Sequence, residues 1–120
     1  MYNHYRNLSD PQLQVVKAKN GLVGAICVRW FVKKKEDKAT LQDYIEVIKY
    51  LKETIGVKHI ALGFDFMDYI EGMEESNVIG IQDITEIGNI AAALKENGFQ
   101  EEEIEKICFQ NAVDFMKSYL

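Results

Sequence analysis

Two short apolar runs, separated by one amphipathic stretch, constrain the fold of this chain more than any other feature. Residues 22–28 are almost continuously apolar, and a second apolar run at residues 60–62 leads into Gly63. Runs without polar alternation are typical of strands that are buried on both faces of a parallel sheet. Between the runs, apolar residues recur at helical spacing from residue 41 to residue 55. The order strand, helix, strand predicts a parallel βαβ unit and an α/β fold.

Three further segments carry helix signals. Ser9 and Gln12 have the spacing of a capping box, and Asn20-Gly21 favours the end of the helix that they begin. A helix over residues 84–97 and another over residues 101–119 are predicted from apolar residues at helical spacing. With the central segment, we therefore expect about four helices around the two strands. The residues predicted to face inward in the third helix are Ile87, Ile90, Ala91 and Leu94.

Asp65 stands where the second strand should end, between Phe64 and Phe66. A carboxylate flanked by two aromatic rings would be poorly hydrated, which favours its neutral form and suits a proton-transfer role. The alternative is an ordinary strand-end carboxylate that caps the next loop or helix. The local residues alone leave both interpretations open.

An acidic stretch follows the second strand and is predicted to lie over its carboxyl end, where parallel α/β sheets bind ligands. One interpretation is a metal site formed by Asp65, Asp68 and the glutamates at positions 71, 74 and 75. The other is a solvated acidic loop, because the spacing of these residues does not match an EF-hand.

Charge and composition narrow the classes of partner. A net charge of −5 and a sequence pI near 5.0 argue against nucleic acid or an anionic membrane surface, and the lysines at positions 33–35 predict only a solvated loop. No apolar run approaches the roughly 18 residues that span a bilayer, and the polar start does not resemble a signal peptide. Cys27 and Cys108 lie within apolar patterns, which predicts reduced core thiols and a cytoplasmic location.

Two parallel strands do not complete a sheet, because each leaves an open edge. We therefore expect the chain to be one piece of a larger structure. The alternative is a small non-catalytic α/β module that covers its strand edges by self-association, as a homo-oligomer, or by binding a partner.

Five motifs occur in an order that resembles the C-terminal portion of the renal (membrane) dipeptidase family, which are zinc dipeptidases with a TIM-barrel fold. Residues 4–10, HYRNLSD, are similar to the family's H-P-R-N-L-T-D, and residues 20–24, NGLVG, to its N-G-G-V-I-G. Residues 59–66, HIALGFDF, resemble H-V-G-L-G-S-D-F, and residues 80–84, GIQDI, match G-L-E-D-V. Asn111 falls where the family's closing helix carries G-N-F.

The resemblance implies a fold, a reaction and two site residues. Residues 1–120 would form a single segment, the C-terminal part of a (β/α)8 barrel that hydrolyses the peptide bond of dipeptides. Arg6 would bind the substrate carboxylate through its bidentate guanidinium group. Asp65 would move protons during hydrolysis and give one to the leaving amine. His4 aligns with no metal ligand of the family.

The resemblance also implies a binuclear zinc centre, which activates water and polarises the scissile carbonyl. The family's ligands are a His-x-Asp, a bridging Glu and two later histidines, all upstream of this segment. His4 and His59 are the only histidines here, so we expect the segment alone to bind no zinc and to be inactive. Residues 66–69, FMDY, also depart from the F-D-G of many members, at the loop beside the substrate.

Overall fold

The computed structural model describes residues 2–120, so Met1, at the start of the polar N-terminus, lies outside it. The regular elements are listed here in chain order: α1 (Asp10–Ala18), β1 (Val23–Ile26), α2 (Arg29–Val32), α3 (Leu41–Ile55), β2 (Ile60–Gly63), α4 (Asn89–Glu96), α5 (Glu101–Glu105) and α6 (Asn111–Tyr119). Short 3₁₀ turns precede β2 and α4, and a π-helical turn, Lys106–Gln110, joins α5 to α6.

The predicted βαβ unit is present. β1 and β2 are adjacent and parallel, with Val23 opposite Ile60 and Ile26 opposite Gly63. The crossover contains α3, as expected, and also the one-turn helix α2, which the sequence patterns did not indicate. The α/β class and the parallel pair are therefore confirmed.

The expectation that both strands are buried on both faces is only partly confirmed. Successive strand residues point to opposite faces. One face, formed by Val23, Ala25, Ile60 and Leu62, packs into the hydrophobic core. The other face carries the exposed Gly24, the half-buried Ile26 and Gly63, and the buried Ala61, which is 7% exposed. The described helices therefore cover one side of the sheet, and the other side is open at Gly24.

The long helix α3 provides most of the core that supports the covered face. Thr40 and Asp43 cap its start reciprocally: the Thr40 N–H donates to Asp43 Oδ2 at 2.8 Å, and the Asp43 N–H donates to Thr40 Oγ1 at 3.4 Å. Its inward residues lie in the stretch of helical apolar spacing found in the sequence, and Tyr44, Ile45, Ile48, Leu51 and Ile55 are all buried. The Tyr44 hydroxyl donates to the Ala25 carbonyl at 2.6 Å and so ties the helix to β1.

Two buried polar side chains fix the amino end of the sheet. His59 is buried, and its Nδ1–H donates to the Gly21 carbonyl at 2.8 Å, just before β1. Asn111, at the start of α6, donates through Nδ2 to the Ile60 carbonyl. A π turn contains one residue more than an α turn, and here it lies immediately before Asn111.

Some predicted helix details are wrong. The helix predicted over residues 84–97 corresponds to α4, which begins at Asn89. It starts late because Asp83 caps a separate 3₁₀ turn and accepts a hydrogen bond from the Thr85 N–H at 2.8 Å. As a result Ile87 and Ala91 are exposed, while Ile90 and Leu94 are buried as predicted. Within residues 2–120, no helix is both long and apolar enough to cross a membrane.

Candidate functional site

The candidate site lies at the carboxyl ends of the two parallel strands. β1 is followed closely by α2, whose Phe31 is buried, and β2 is followed by Phe64, Asp65 and Phe66. Side chains that follow neighbouring parallel strands share one end of the sheet, where ligands of α/β proteins bind. The two residues singled out from the sequence, Arg6 and Asp65, both belong to this end.

Arg6 reaches the end of β1 from the N-terminal segment. Its guanidinium carbon lies 5.0 Å from the centre of the Phe31 ring, a cation–π contact. Arg6 is exposed and also lines a cavity of about 250 Å³ that runs along β1. A guanidinium that is held on one face by a ring keeps its N–H donors free in the plane, where they can meet a carboxylate.

Asn7 and Phe31 hold Arg6 in place, and sequence reasoning gave neither of them a role. The Asn7 side chain donates from Nδ2 to the Phe31 carbonyl at 2.8 Å and to the Tyr2 carbonyl at 3.0 Å. The His4 ring lies 4.8 Å from the Phe31 ring, and His4 Nδ1 accepts the Arg6 N–H at 3.2 Å. His4 therefore supports this arrangement structurally, through its ring contact with Phe31 and its bond to the Arg6 backbone. The sequence signals this arrangement only through the pair Arg6-Asn7 and through an aromatic residue, Phe31, shortly after β1.

Asp65 has a backbone conformation that few residues adopt. Its φ is +55°, in the left-handed region, where only Asn20 among the other described non-glycine residues is found. Asp and Asn tolerate this region better than other L-residues, and such conformations concentrate at functional sites. The strand therefore turns sharply at Asp65 and presents it at the end of the sheet.

The expectation that Asp65 is poorly hydrated is wrong, because the side chain is exposed. The Phe64 and Phe66 rings stack on each other, with centroids 5.1 Å apart and planes 7° apart, and both pack against the hydrophobic core. They continue the covered face of β2, on which Leu62 lies. The rings therefore cover the core rather than the carboxylate between them.

The carboxylate of Asp65 nevertheless acts on the end of β1. Cys27 is fully buried, and its thiol donates to the Phe64 carbonyl at 3.2 Å. Burial, opposed by a backbone hydrogen bond and reinforced by the negative charge of Asp65, raises the pKa of Cys27 to about 12. Cys27 is thus an inert core thiol, as predicted, and Asp65 is close enough to the end of β1 to influence it electrostatically.

The acidic loop after β2 is solvated. Glu71, Glu74 and Glu75 are exposed, as are the lysines at positions 33–35. In the part of the chain that the structure describes, no three His, Cys, Asp or Glu side chains are grouped so that they could hold a metal ion. The interpretation of this loop as a metal site is therefore not supported, and the residues present do not fit a zinc centre.

The amino-acid sequence is similar to known dipeptidases over almost its whole length. It is 30% identical over 114 residues to dipeptidase tcpJ of Claviceps purpurea, covering 95% of this chain and 26% of that protein. It is 33% identical over 113 residues to dipeptidase ataJ of Aspergillus terreus, covering 93% of this chain and 26% of that protein. The chain thus spans about a quarter of the length of these relatives.

Solved structures share the fold of this chain. A structure of dipeptidase AC, a metallopeptidase of family M19, matches 93% of this chain with a TM-score of 0.81 at 24% identity, over 32% of its own length. An amidohydrolase from Pseudomonas aeruginosa matches 93% of this chain with a TM-score of 0.80 at 28% identity, over 40% of its own length. The M19 dipeptidases have TIM-barrel folds, of which this chain corresponds to about a third.

The sequence also matches a family as a whole. The family model described as membrane dipeptidase, peptidase family M19, matches residues 1–119. This match covers both parallel strands, the N-terminal segment with Arg6 and the strand-end Asp65. The resemblance inferred from five short motifs is confirmed, and the chain belongs to the membrane dipeptidase family, the M19 metallopeptidases.

Proposed function

We propose that residues 1–120 are a single segment, the C-terminal part of a dipeptidase barrel, and that the complete enzyme hydrolyses the peptide bond of dipeptides. In this proposal Arg6 binds the substrate carboxylate and Asp65 transfers protons. The main support is their placement: Arg6 is stacked on Phe31 after β1, and Asp65 follows the neighbouring parallel strand.

Arg6 is suited to the binding role. It is exposed, and the contact with Phe31 orients its guanidinium without occupying its N–H donors. Two parallel N–H groups can then bind both oxygens of a carboxylate, which places the substrate relative to the end of the sheet.

Asp65 is suited to the proton-transfer role. As an exposed carboxylate it can accept a proton from the attacking water and return that proton to the leaving amine. Its left-handed backbone holds it at the sheet end, after the turn of the chain out of β2. Gly24 and Gly63, paired positions near the same end of the two strands, have no side chains, which leaves room there for the substrate.

Metal use is a property of the family. The identity of the metal and the place of its ligands are part of this proposal. We propose that two zinc ions serve the complete enzyme and are held by residues outside the described segment, since residues 2–120 contain no suitable ligand group. The segment alone is then inactive. The unpaired thiols Cys27 and Cys108 support a reducing, cytoplasmic location.

Dipeptide hydrolysis, assayed with added zinc, tests the proposal on this chain and on the protein extended upstream. We expect activity only in the extended protein. There Asp65→Asn should lower kcat by about 100-fold or more, the typical contribution of a positioned general acid–base. Glu71→Gln, a matched change of an exposed carboxylate in the following loop, should have no effect. Full activity in Asp65→Asn would remove Asp65 from the mechanism.

A second candidate is a non-catalytic module that associates through its sheet. The exposed Gly24 in β1 favours it, because a strand with an open face and edge can pair with another chain. The oligomeric state of the chain, measured by sedimentation, helps to distinguish the barrel segment from the self-associating module. A folded, concentration-dependent oligomer with no activity in any extended form would favour the module.

A further inference from the structure

A cavity of about 610 Å³ lies where α2 meets the loop that follows β2. Its volume is within the roughly 300–1,000 Å³ of typical small-molecule sites. α2 contributes Trp30 to its lining, and the loop contributes Gly72 and Met73. Arg6 and Asp65 do not line it. The cavity is therefore a space distinct from the positions of these two residues.

Backbone hydrogen bonds hold the segments that form the cavity. The Arg29 N–H donates to the Ser76 carbonyl at 2.9 Å and so joins the start of α2 to the loop. The Asp37 N–H closes a turn on the Lys34 carbonyl at 2.9 Å, and the Ser76 N–H closes another on the Met73 carbonyl at 3.0 Å. The cavity is thus framed by hydrogen-bonded turns in both segments.

Three ring side chains give the cavity an aromatic lining. Tyr2, His4 and Trp30 all line it, and each is half-buried, so part of each side chain is accessible. Phe31 joins them into one packed group, with ring centroids 4.8 Å from His4 and 6.1 Å from Trp30. Aromatic side chains pack favourably with the face or edge of another ring, so this lining favours a ligand that carries a flat ring.

The charge of the lining favours an anion. Three cations, Arg29, Lys34 and Lys35, line the cavity together with one carboxylate, Glu36. Arg29 Nη1 lies 3.6 Å from Glu75 Oε2, whereas neither lysine forms an ion pair among residues 2–120. In a protein with a net charge of −5, this local excess of positive charge attracts a negatively charged ligand.

Other classes of small molecule would use only half of this lining. A neutral aromatic molecule would leave the two lysines without an anion, and an anion without a ring would not pack against the aromatic side chains. A cation would be repelled by the three positive charges. A small aromatic carboxylate matches both halves, because its ring is flat and its oxygens accept charge-assisted hydrogen bonds.

We propose that this cavity binds a small aromatic carboxylate. The ring packs against Trp30 and Met73, and the carboxylate accepts hydrogen bonds from Lys34 and Lys35, with Arg29 adding positive charge. This proposal does not depend on dipeptide hydrolysis, because Arg6 and Asp65 take no part in the binding.

Trp30 is the only tryptophan of the chain, so tryptophan fluorescence reports directly on this cavity. Titration of the intact protein with benzoate, followed by fluorescence and by calorimetry, tests the proposal. Benzamide is the neutral probe, and cyclohexanecarboxylate is an anion of similar size without an aromatic ring. We expect saturable binding of benzoate in the millimolar range, about tenfold weaker binding of benzamide, and severalfold weaker binding of cyclohexanecarboxylate.

Variants locate the binding. Lys34→Gln combined with Lys35→Gln should weaken benzoate binding by about tenfold or more, as the loss of a charged hydrogen bond does. Lys17→Gln combined with Lys19→Gln is the matched control, because it removes two exposed charges that do not line the cavity, and it should bind benzoate like the parent protein. Arg6→Gln should also retain binding.

Three results would overturn the proposal. Binding that is lost in Arg6→Gln and kept in the Lys34 and Lys35 double variant would assign benzoate to the candidate substrate site. Equal affinity for benzoate and either of the other two probes would show that the charge or the ring is not recognised. No saturable signal by fluorescence or calorimetry up to about 50 mM benzoate would show that the cavity does not bind this class of ligand.

Discussion

The side-chain amide of Asn111 donates a hydrogen bond of 2.8 Å to the carbonyl of Ile60, the first residue of β2. A second hydrogen bond, of 2.7 Å, reaches the Val57 carbonyl in the turn before that strand. Asn111 is 8% exposed, so water does not readily replace these bonds. One side chain therefore fixes the last helical segment to the sheet.

Replacing Asn111 with Asp should destabilise the fold. The variant loses both donors and leaves buried carbonyls beside a carboxylate, which should lower the free energy of unfolding by about 2–3 kcal/mol. Urea denaturation followed by circular dichroism measures the change. Asn3→Asp, at an exposed position, should shift stability by less than about 0.5 kcal/mol. Equal stability of the two variants would contradict the structural role of Asn111.

The backbone of Asp65 predicts which substitutions the position accepts. With φ at +55°, Asn should be tolerated, whereas Ala should cost about 1 kcal/mol through left-handed strain. Thermal melting should therefore place Asp65→Asn near the parent protein and Asp65→Ala several degrees below it. Similar melting temperatures for Asn and Ala would mean that the turn at residue 65 is not under strain. Asp65→Asn is also the right variant for the activity test, since it removes the carboxylate without adding that strain.

The contact between Arg6 and Phe31 should affect substrate binding rather than turnover. In the extended enzyme, Phe31→Leu removes a cation–π contact and should raise KM about two- to fivefold with little change in kcat. Arg6→Lys keeps the charge but loses the planar fork, and should raise KM further. Phe109→Leu, at a half-exposed aromatic residue in the π turn, is the matched control. A fall in kcat with unchanged KM would contradict a binding role.

The pair formed by Glu103 and Lys52 should make stability depend on acid pH. The hydrogen bond from Lys52 and that from the Gln100 backbone hold the pKa of Glu103 below its ordinary value of 4.5. Because this pKa is depressed in the folded state, the stabilisation is present above about pH 4.5 and is lost as pH falls through the folded pKa. The Lys52 Nζ to Glu103 Oε1 distance is 2.7 Å, but the pair is partly exposed, so its contribution is about 0.5 kcal/mol.

Glu103→Gln should therefore be less stable than the parent at pH 7 and should approach it near pH 3. Denaturation curves at several pH values measure the difference. Glu53→Gln, an exposed change in α3, should run parallel to the parent at every pH. A constant gap between Glu103→Gln and the parent would show that the Glu103 charge is not involved.

Periodicity predicted the core of α3 because that helix has a single apolar face and clear caps at Thr40 and Gly56. It failed around Ile87 and Ala91, where a short 3₁₀ turn shifts the helix start and moves both residues to the surface. Such a turn depends on the local cap at Asp83 rather than on the apolar pattern.

The candidate site was predictable only in part. Arg6 and Asp65 were identifiable from motifs, but the exposure of Asp65 was not, because Phe64 and Phe66 stack on each other and toward the core. The buried Asn77 was also unpredictable. Its segment is held by bridges from Asn77 to Val28 and from Ile79 to Thr40, far away in the sequence, and an asparagine in an acidic loop gives no sign of them.

The π turn between α5 and α6 has a consequence for insertions and deletions. It takes up one extra residue without rotating the helical faces on either side. Removing one residue there, such as the half-exposed Phe109, would give a continuous α-helix in which Ile107 still faces the core and Asn111 still reaches β2. The chain can therefore change its length by one residue at this helix while Ile107 and Asn111 keep their positions against the core and β2.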